Sequence, residues 1–366
     1  MAFNFGIPFP NMFSSRGSDG QVRTVKGSKR PYDDRMGWAG DWSATKKYIV
    51  SQVVTNNNTR YVCIKEHKNQ EPPNADYWET ISSAGVKSDE YVVAADGTAD
   101  YTTISGAFVA LGTSAGTIRI KAGNYVLGEK VLFTGNNQSI IGSGYGTHLS
   151  TSGNHIVIDG NSKDRLLVQN LRVNGSGKGG GSTANVGIDF NGCDDCVVRG
   201  CWIKDCGGTG VTMGGNNIIT ECFIEDNTGD GISAGNNGVI QGCQIIDHTD
   251  AGIQSNASFL VINGCYIYHN DNEGIRLGVS AFANCITGNY IANTGQGTGS
   301  GDGIQIANYS NENTVTGNVI KNNDEYGVNV KGSNAYRNVI VGNVLNNNST
   351  ADIVSGANST VGLNAT

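Results

Sequence analysis

Residues 216–232 read NNIITECFIEDNTGDGI, and residues 237–253 read NGVIQGCQIIDHTDAGI. Laid over each other, the two stretches share an aliphatic at Ile219 and Ile240, a cysteine at Cys222 and Cys243, an aliphatic at Ile224 and Ile245, and a closing Gly231-Ile232 or Gly252-Ile253. The phrase recurs in both directions. Its closing apolar residue falls at Ile188, Val211, Ile232, Ile253, Ile275, Ile304, Val328 and Ile353, in steps of 23, 21, 21, 22, 29, 24 and 25 residues. Seven of these follow a glycine, and Ile353 follows Asp352. A repeat in this range marks a stack in which each repeat is one coil laid on the next.

The cysteine position continues as Cys201, Cys222, Cys243, Cys265, Asn289, Asn318 and Asn343. Three residues before each stands Val198, Ile219, Ile240, Ile262, Ile286, Val315 or Ile340, and two residues after each stands Ile203, Ile224, Ile245, Ile267, Ile291, Ile320 or Leu345. Each coil therefore carries three short β runs in which alternate residues point inward and outward. Apolar residues at i, i+3, i+4 and i+7 are missing from the repeats, which excludes a helical solenoid. With 53 glycines and 5 prolines, the composition suits many tight turns and few kinks.

This pattern resembles the right-handed parallel β-helix of the pectate-lyase-like superfamily, and the resemblance implies an all-β, three-sheet solenoid. Like residues on successive coils would stack about 4.8 Å apart. The Cys/Asn column resembles the inward ladder at the bend between the second and third sheets of that fold, where Asn bonds to backbone and to its copy above and Cys fills the same space. Residues 91–149 include YVVAADGTADYTTISGAFVAL, TIRIKAGNYVLGEKV and SIIGSGYGTHL. They resemble the entry of pectin-active and phage β-helix proteins: a strand, a DG turn and a short helix at about 102–111 that caps the stack. Residues 90–130 are read as this entry and 131–366 as the β-helix. After Asp352-Ile-Val the chain ends in GANSTVGLNAT, which reads as a partial last coil with no capping helix and leaves an edge to be covered by a partner.

The formal net charge is −7 and the sequence pI about 5.2, so no basic stripe is available to neutralise phosphates and nucleic acid is not an expected partner. No apolar run approaches membrane-spanning length. The start, MAFNFGIPFPNMF, lacks a basic n-region and does not read as a Sec signal peptide. Nine cysteines, an odd number placed mostly in the inward ladder, read as reduced core thiols. A virion protein, assembled in a host cytoplasm and released by lysis, fits both reduced thiols and a fold commonly used outside cells.

Residues 36–82 form a separate module with a dense aromatic set: Trp38, Trp42, Tyr48, Tyr61 and Trp78. Its order resembles small chitin-binding-type carbohydrate modules. The functional reading places Trp38, Trp42 and Trp78 against sugar rings; the bland one spends the aromatics on a small domain's own core. Residues 1–35 are turn-rich and carry Phe3, Phe5, Phe9 and Phe13, anchors for docking onto other tail proteins in a virion, or a plain leader.

Cys193-Asp-Asp-Cys196, Cys201 and Cys206 do not read as a zinc site, because Cys201 falls in the ladder and Cys206 in an inward turn column continued by Asn227, His248 and Asn270. Gly175-Ser-Gly-Lys178-Gly-Gly-Gly181 lacks the first glycine and the final Ser/Thr of a phosphate loop, and Asp226-Asn-Thr-Gly-Asp230-Gly231 departs from a calcium loop at Thr228 and Asn237. The position after the ladder holds Trp202, Phe223, Gln244, Tyr266 and Tyr290, an outward aromatic column that would bury against a neighbouring subunit or a sugar. Trp202, Tyr266 and Tyr290 are therefore carbohydrate-contact candidates beside the module's tryptophans.

The turns leading into the Gly-Ile/Val strands stack Asp205, Asp226, Asp247 and His269, with Asp230, Asp250, Glu273 and Asp302 nearer the strand and Arg276 on it. Stacked carboxylates raise one another's pKa, which serves general acid/base work or a bound Ca²⁺; Asp and Asn are also ordinary turn residues. In pectate lyases the groove is built on the equivalent sheet. Excursions at about 174–186 and 293–302 would wall off four coils, roughly 15–20 Å. The catalytic candidates are Asp226, Asp230, Asp247, Asp250, Glu273 and Arg276; His248 reads as inward and His269 as rim. No cofactor is expected, with Ca²⁺ the exception the acidic turns would admit.

The signatures of pectate lyases, pectinesterases, alginate epimerases and polygalacturonases are absent, so the chemistry stays open. The resemblance implies a phage tail-spike or tail-fibre type virion protein, a homotrimer that binds host surface polysaccharide with or without depolymerase activity. Two alternatives stand beside it: a free lyase, glycoside hydrolase or C5-epimerase, and a purely structural β-helix.

Overall fold

In a computed structural model, the described residues are 37–50, 52–56, 59–81, 89–175, 185–295, 301–356 and 359–365. The leader with its phenylalanines, most of the 174–186 excursion and half of the 293–302 excursion lie outside them. The chain divides into Met1–Val86 and Lys87–Thr366.

In the first unit, Gly37–Asp41, Gln52–Asn56, Thr59–Cys63 and Trp78–Ile81 form one sheet, with Lys47–Tyr48 paired to His67–Lys68 beside it. Tyr48, Val54, Tyr61, Cys63 and Trp78 make its core. A domain this small has few large side chains to bury, and here they pack on one another: the Trp78 ring lies 4.6 Å from His67 and 5.1 Å from Tyr48.

The second unit is a parallel β-helix. Its strands form sheets of 10, 12 and 10 strands, each strand paired in parallel with its copy one coil away. One coil runs Val211–Met213, Ile218–Thr220, Phe223–Glu225. The sheet carrying the Gly-Ile/Val strands is called sheet 1 below; Ile218–Thr220 lies in sheet 2 and Phe223–Glu225 in sheet 3. Inward residues such as Ile203, Ile224, Ile245, Ile267 and Ile291 are wholly buried in one continuous core. Each contributes roughly 1.5–3 kcal/mol through burial. The entry helix, Ile104–Leu111, is capped by Thr103, whose Oγ1 accepts from the Gly106 N–H at 3.2 Å. Its buried face, Ile104, Ala107, Phe108 and Leu111, covers the first coils, with Phe108 edge-on to Phe133 at 5.3 Å.

The repeated glycine answers to close approach. A Cβ on Gly187, Gly210, Gly231, Gly252, Gly274 or Gly303 would lie 2.5–2.7 Å from the carbonyl oxygen of the next coil's glycine, and one on Gly327 2.5 Å from the Asp352 carbonyl. Ala351–Val354 is the last strand of sheet 1 among the described residues, and there a side chain stands where the earlier coils have glycine. Gly274→Ala should therefore destabilise the protein by about 1–3 kcal/mol in denaturant unfolding, through overpacking against Ile291 and the Gly303 carbonyl.

Most described corners of the regular coils turn in the same way: a residue in the left-handed region followed by an inward one. Gly200, Gly242, Gly264 and Gly288 precede ladder residues with φ of 58°, 63°, 65° and 65°. Cys201, Cys222, Cys243 and Cys265 then form one buried column, in register with the Asn rungs. Asn289 donates from Nδ2 to Asn318 Oδ1 at 3.0 Å, Asn318 to Asn343 at 3.0 Å, and Asn343 to Asn364 at 3.1 Å. A second ladder, absent from the sequence reading, fills the corner between sheets 1 and 2: Asn284 to Asn313 at 2.9 Å and Asn313 to Asn338 at 3.0 Å. The column Cys206, Asn227, His248, Asn270 fills the third corner, each backbone N–H bonded to the next side chain at 2.9–3.2 Å.

The C-terminus differs from the sequence reading. GANSTVGLNAT does not stop at a partial coil: Thr360–Gly362 pairs with Val339–Val341, and Asn364 supplies one more rung, its Nδ2 donating to the Ile340 carbonyl at 3.1 Å. Stacking one more strand satisfies backbone groups that a capping helix would otherwise have to cover. The terminal surface beyond it exposes Leu363.

Candidate functional site on sheet 1

Outward positions of sheet 1 stack in register as Asp189, Thr212, Ser233, Gln254, Arg276, Gln305 and Asn329. Each of these seven is polar, while the row runs on into Val354 and the inward neighbours are mostly apolar. The turn preceding the strand brings carboxylates to the same edge. Arg276 is the centre: Nη2 lies 3.4 Å from Asp250 Oδ1 and 3.7 Å from Asp230 Oδ1, Nη1 lies 3.4 Å from Glu273 Oε2, and Nε donates to Gln254 Oε1. Asp230 and Asp250 also share the Ala251 N–H, at 3.2 and 3.0 Å, and Asn272 Nδ2 donates to Asp250 Oδ1 at 2.8 Å. Burial, then the charge of Asp250, pushes the Asp230 carboxyl up to about 7 against the pull of Arg276 and the Ala251 N–H, with Glu273 adding to the rise. The edge thus pairs a carboxyl that holds its proton near neutrality with further carboxylates around one guanidinium. A shallow depression of about 260 Å³ beside it is lined by Ser233, Asn236, Gln254 and Asn256 among others.

The six catalytic candidates divide. Asp230, Asp250, Glu273 and Arg276 converge. Asp226 and Asp247 belong to a different row: with Asp205 and His269 they take the left-handed corner position, at φ of 61°, 61°, 54° and 57°. Asp recurs there because a short polar side chain tolerates that backbone region. Asp247 Oδ1 meets His269 Nδ1 at 2.6 Å in an exposed pair, and His248 points inward, 1% exposed. Gln254, Gln305 and Asn329 were not singled out in the sequence, although the residue after each Gly-Ile/Val is polar in coil after coil.

The aromatic column is less open than the sequence suggested. Trp202 is half-buried beneath Arg172, 4.4 Å from the ring, and its Nε1 donates to Glu225 Oε1 at 3.0 Å. Tyr266 and Tyr290 stack face to face at 5.0 Å and 8°, using faces a sugar would need, although Tyr266 remains 40% exposed. In the small module, the expectation of a sugar contact fails for Trp78: it is 3% exposed and donates from Nε1 to the Gln70 carbonyl at 2.6 Å, because the module's core takes its ring. Trp42 is half-buried and donates to the same carbonyl at 3.2 Å, and Trp38 lies on the first strand, paired with Val53.

Cys193 and Cys196 lie in one corner, Cys201 and Cys206 in the other two. Hydrogen bonding to Cys201, with burial, holds the Cys222 thiol well above its ordinary value, and burial lifts Cys206 to about 12. Cys206 and Cys222 are thus neutral packing groups. Among the described residues no group of three or more His, Cys, Asp or Glu is arranged to hold a metal ion.

Residues 154–299 match the family described as right handed beta helix region. The chain is thus a right-handed parallel β-helix protein over that span, and the same coils run on either side of it. A search of characterised protein sequences finds no match. Among solved structures, the chain is similar to the ORF18 protein of Geobacillus virus E2, at 14% identity and TM-score 0.61 over 86% of this chain and 69% of that one. It is similar to the Dettilon tailspike protein gp208 at 16% identity and TM-score 0.59, over 70% of this chain and 54% of that one. Pectate lyase Pel9A follows at 15% identity and TM-score 0.51, over 76% and 78%. These likenesses establish the fold.

Proposed function

We propose that this chain is a tailspike-type virion protein that holds a host surface polysaccharide along the outer face of sheet 1. The observation that carries the reading is the Arg276 cluster set in an unbroken polar strip, since hydroxyl-rich ligands are recognised by rows of side-chain amides, hydroxyls and carboxylates. The viral fold relatives, one of them a tailspike, support the virion setting over a free enzyme. Arg276 is already engaged by three carboxylates and Gln254, so the face favours neutral or amino sugars over uronates unless Ca²⁺ intervenes. Asp230 gives the same face a candidate general acid, with Glu273 or Asp250 as the second carboxyl, which favours cleavage as well as binding. Self-association as a trimer, with the sheet 3 aromatics in the contact, and docking through residues 1–35 complete the reading; sedimentation of the intact protein as a stable monomer would count against the first.

The test is retention of purified bacterial O-antigen and capsular polysaccharides by the full chain, with reducing-end and unsaturated-uronate assays for cleavage. Arg276→Ala should lower retention at least 10-fold while the fold persists, because three carboxylates lose their common counter-charge. Unchanged retention in that variant would move the glycan site elsewhere, first to the exposed flank of Tyr266.

A further inference from the structure

One coil beyond Glu273 stands a carboxylate that the glycan reading does not use. Asp302 is 1% exposed, yet it is not an orphaned charge. Its Oδ1 accepts from the Tyr326 N–H at 3.3 Å. Its Oδ2 accepts from Asn329 Nδ2 at 3.0 Å and Gln305 Nε2 at 3.1 Å, with Lys331 Nζ at 3.5 Å. The Gln305 amide nitrogen has a second acceptor, Glu273 Oε1, and the other oxygen of Glu273 faces Arg276. An unbroken chain of contacts therefore runs from the coil of residues 326–331 through Asp302, Gln305 and Glu273 to Arg276, and from there to Asp250 and Asp230.

We propose that Asp302 is a positioning residue for this face: anchored by the next coil, it turns the Gln305 amide so that the NH₂ group presents to Glu273 and thereby fixes Glu273 against Arg276. The chemistry of the amide makes the orientation an either-or choice. With Asp302 ionised, both acceptors near Gln305 demand its NH₂ end. If Asp302 offered a donor instead, the amide would flip and set its carbonyl against Glu273, acceptor to acceptor. Glu273 would then take up a proton or leave Arg276. The inference deepens the glycan reading and rests on it only for the binding readout.

Asp230 supplies a reporter that needs no ligand. The groups that face it are Asp250, Glu273 and Arg276, and the negative charge of Glu273 favours the protonated form of Asp230. Loss of that charge, or release of Arg276 toward Asp230, weakens the hold of Asp230 on its proton. In full-length protein carrying ¹³C at aspartate carboxyls, the Asp230 titration is followed in Asp302→Asn, which keeps the shape of the side chain, and in Gln305→Leu, which removes the relay but leaves Asp302 its other partners. Both variants should bring the Asp230 midpoint down by on the order of one pH unit, and retention of the polysaccharide panel should drop about 10-fold. A role confined to stability would lower Tm and leave the midpoint where it was, and an unmoved midpoint in folded Gln305→Leu overturns the proposal, whether or not Asp302→Asn folds. A shifted midpoint in a protein that retains no glycan supports the positioning role and rejects the glycan reading instead.

Discussion

Asn318→Asp should cost the β-helix at least about 4 kcal/mol at pH 7, enough to unfold a marginal protein. Asn318 Oδ1 accepts both the Asn289 N–H, at 2.9 Å, and Asn289 Nδ2, at 3.0 Å. Its Nδ2 donates to Asn343 Oδ1, the Ile286 carbonyl and the Thr316 carbonyl at 3.0, 3.0 and 3.2 Å. Replacing the NH₂ by oxygen points a fully buried carboxylate at three acceptors, and no cation is among the groups bonded to this rung to compensate. The ladder supplies its own control. Cysteine occupies the same column four rungs running, with the Cys265 thiol reaching the Ile240 carbonyl at 3.7 Å. Asn318→Cys should cost less, about 2–3 kcal/mol, because the Asn289 N–H and Nδ2 both lose their acceptor but no charge is buried. Urea unfolding of the two variants at pH 7 measures the difference; equal midpoints would mean that the rungs act by volume and not by their hydrogen bonds.

The second large effect is a pH dependence set by Asp230. Its folded-state proton affinity lies above that of an ordinary aspartate in the unfolded chain, about 7 against 3.8. The native state therefore binds more protons than the unfolded chain between those values, and this group's contribution to stability declines as pH rises from about 4 to 7. By linkage the penalty at pH 8 is at most about 4 kcal/mol. Asp230→Asn removes the titration, so the variant should gain on the wild type as pH rises from 5 to 8 in parallel unfolding series. If the face also cleaves glycan, the same variant should lose 100-fold or more of that activity, because an amide cannot donate a proton. Parallel stability curves for the two proteins across that range would show that Arg276 neutralises Asp230 fully and that no acid is held ready there.

Much of this was legible before any coordinates, for an identifiable reason. The repeat fixes which residues share a column, and parallel in-register stacking turns a column into a physical neighbourhood. The inward Cys/Asn ladder, the entry helix, the inward His248 and the aromatic row were all readable that way. The second Asn ladder at Asn284, Asn313 and Asn338 was equally written, two residues before each inward aliphatic, and needed only one more column to be followed. Chemistry was less readable because Asp is favoured in a left-handed turn whether or not it has a function. That preference made Asp226 and Asp247 look like Asp230 and Asp250, although they take different positions in the corner.

The sequence alone determined the coil, its period, its inward and outward faces and the absence of helix beyond the entry cap, because these follow from local alternation and from sterics repeated in every turn. Only the tertiary structure decided that Arg276 gathers carboxylates from two neighbouring turns as well as its own, that Gln305 bridges Glu273 to a buried Asp302, that Trp78 is core and that the last residues add another rung. The Arg276 and Gln305 contacts depend on where a side-chain tip lies relative to tips on its own and neighbouring coils, as far away in sequence as Asp230 is from Arg276. A column assigns the neighbours; the rotamers, hydrogen-bond directions and charges among them settle only when the coils have stacked.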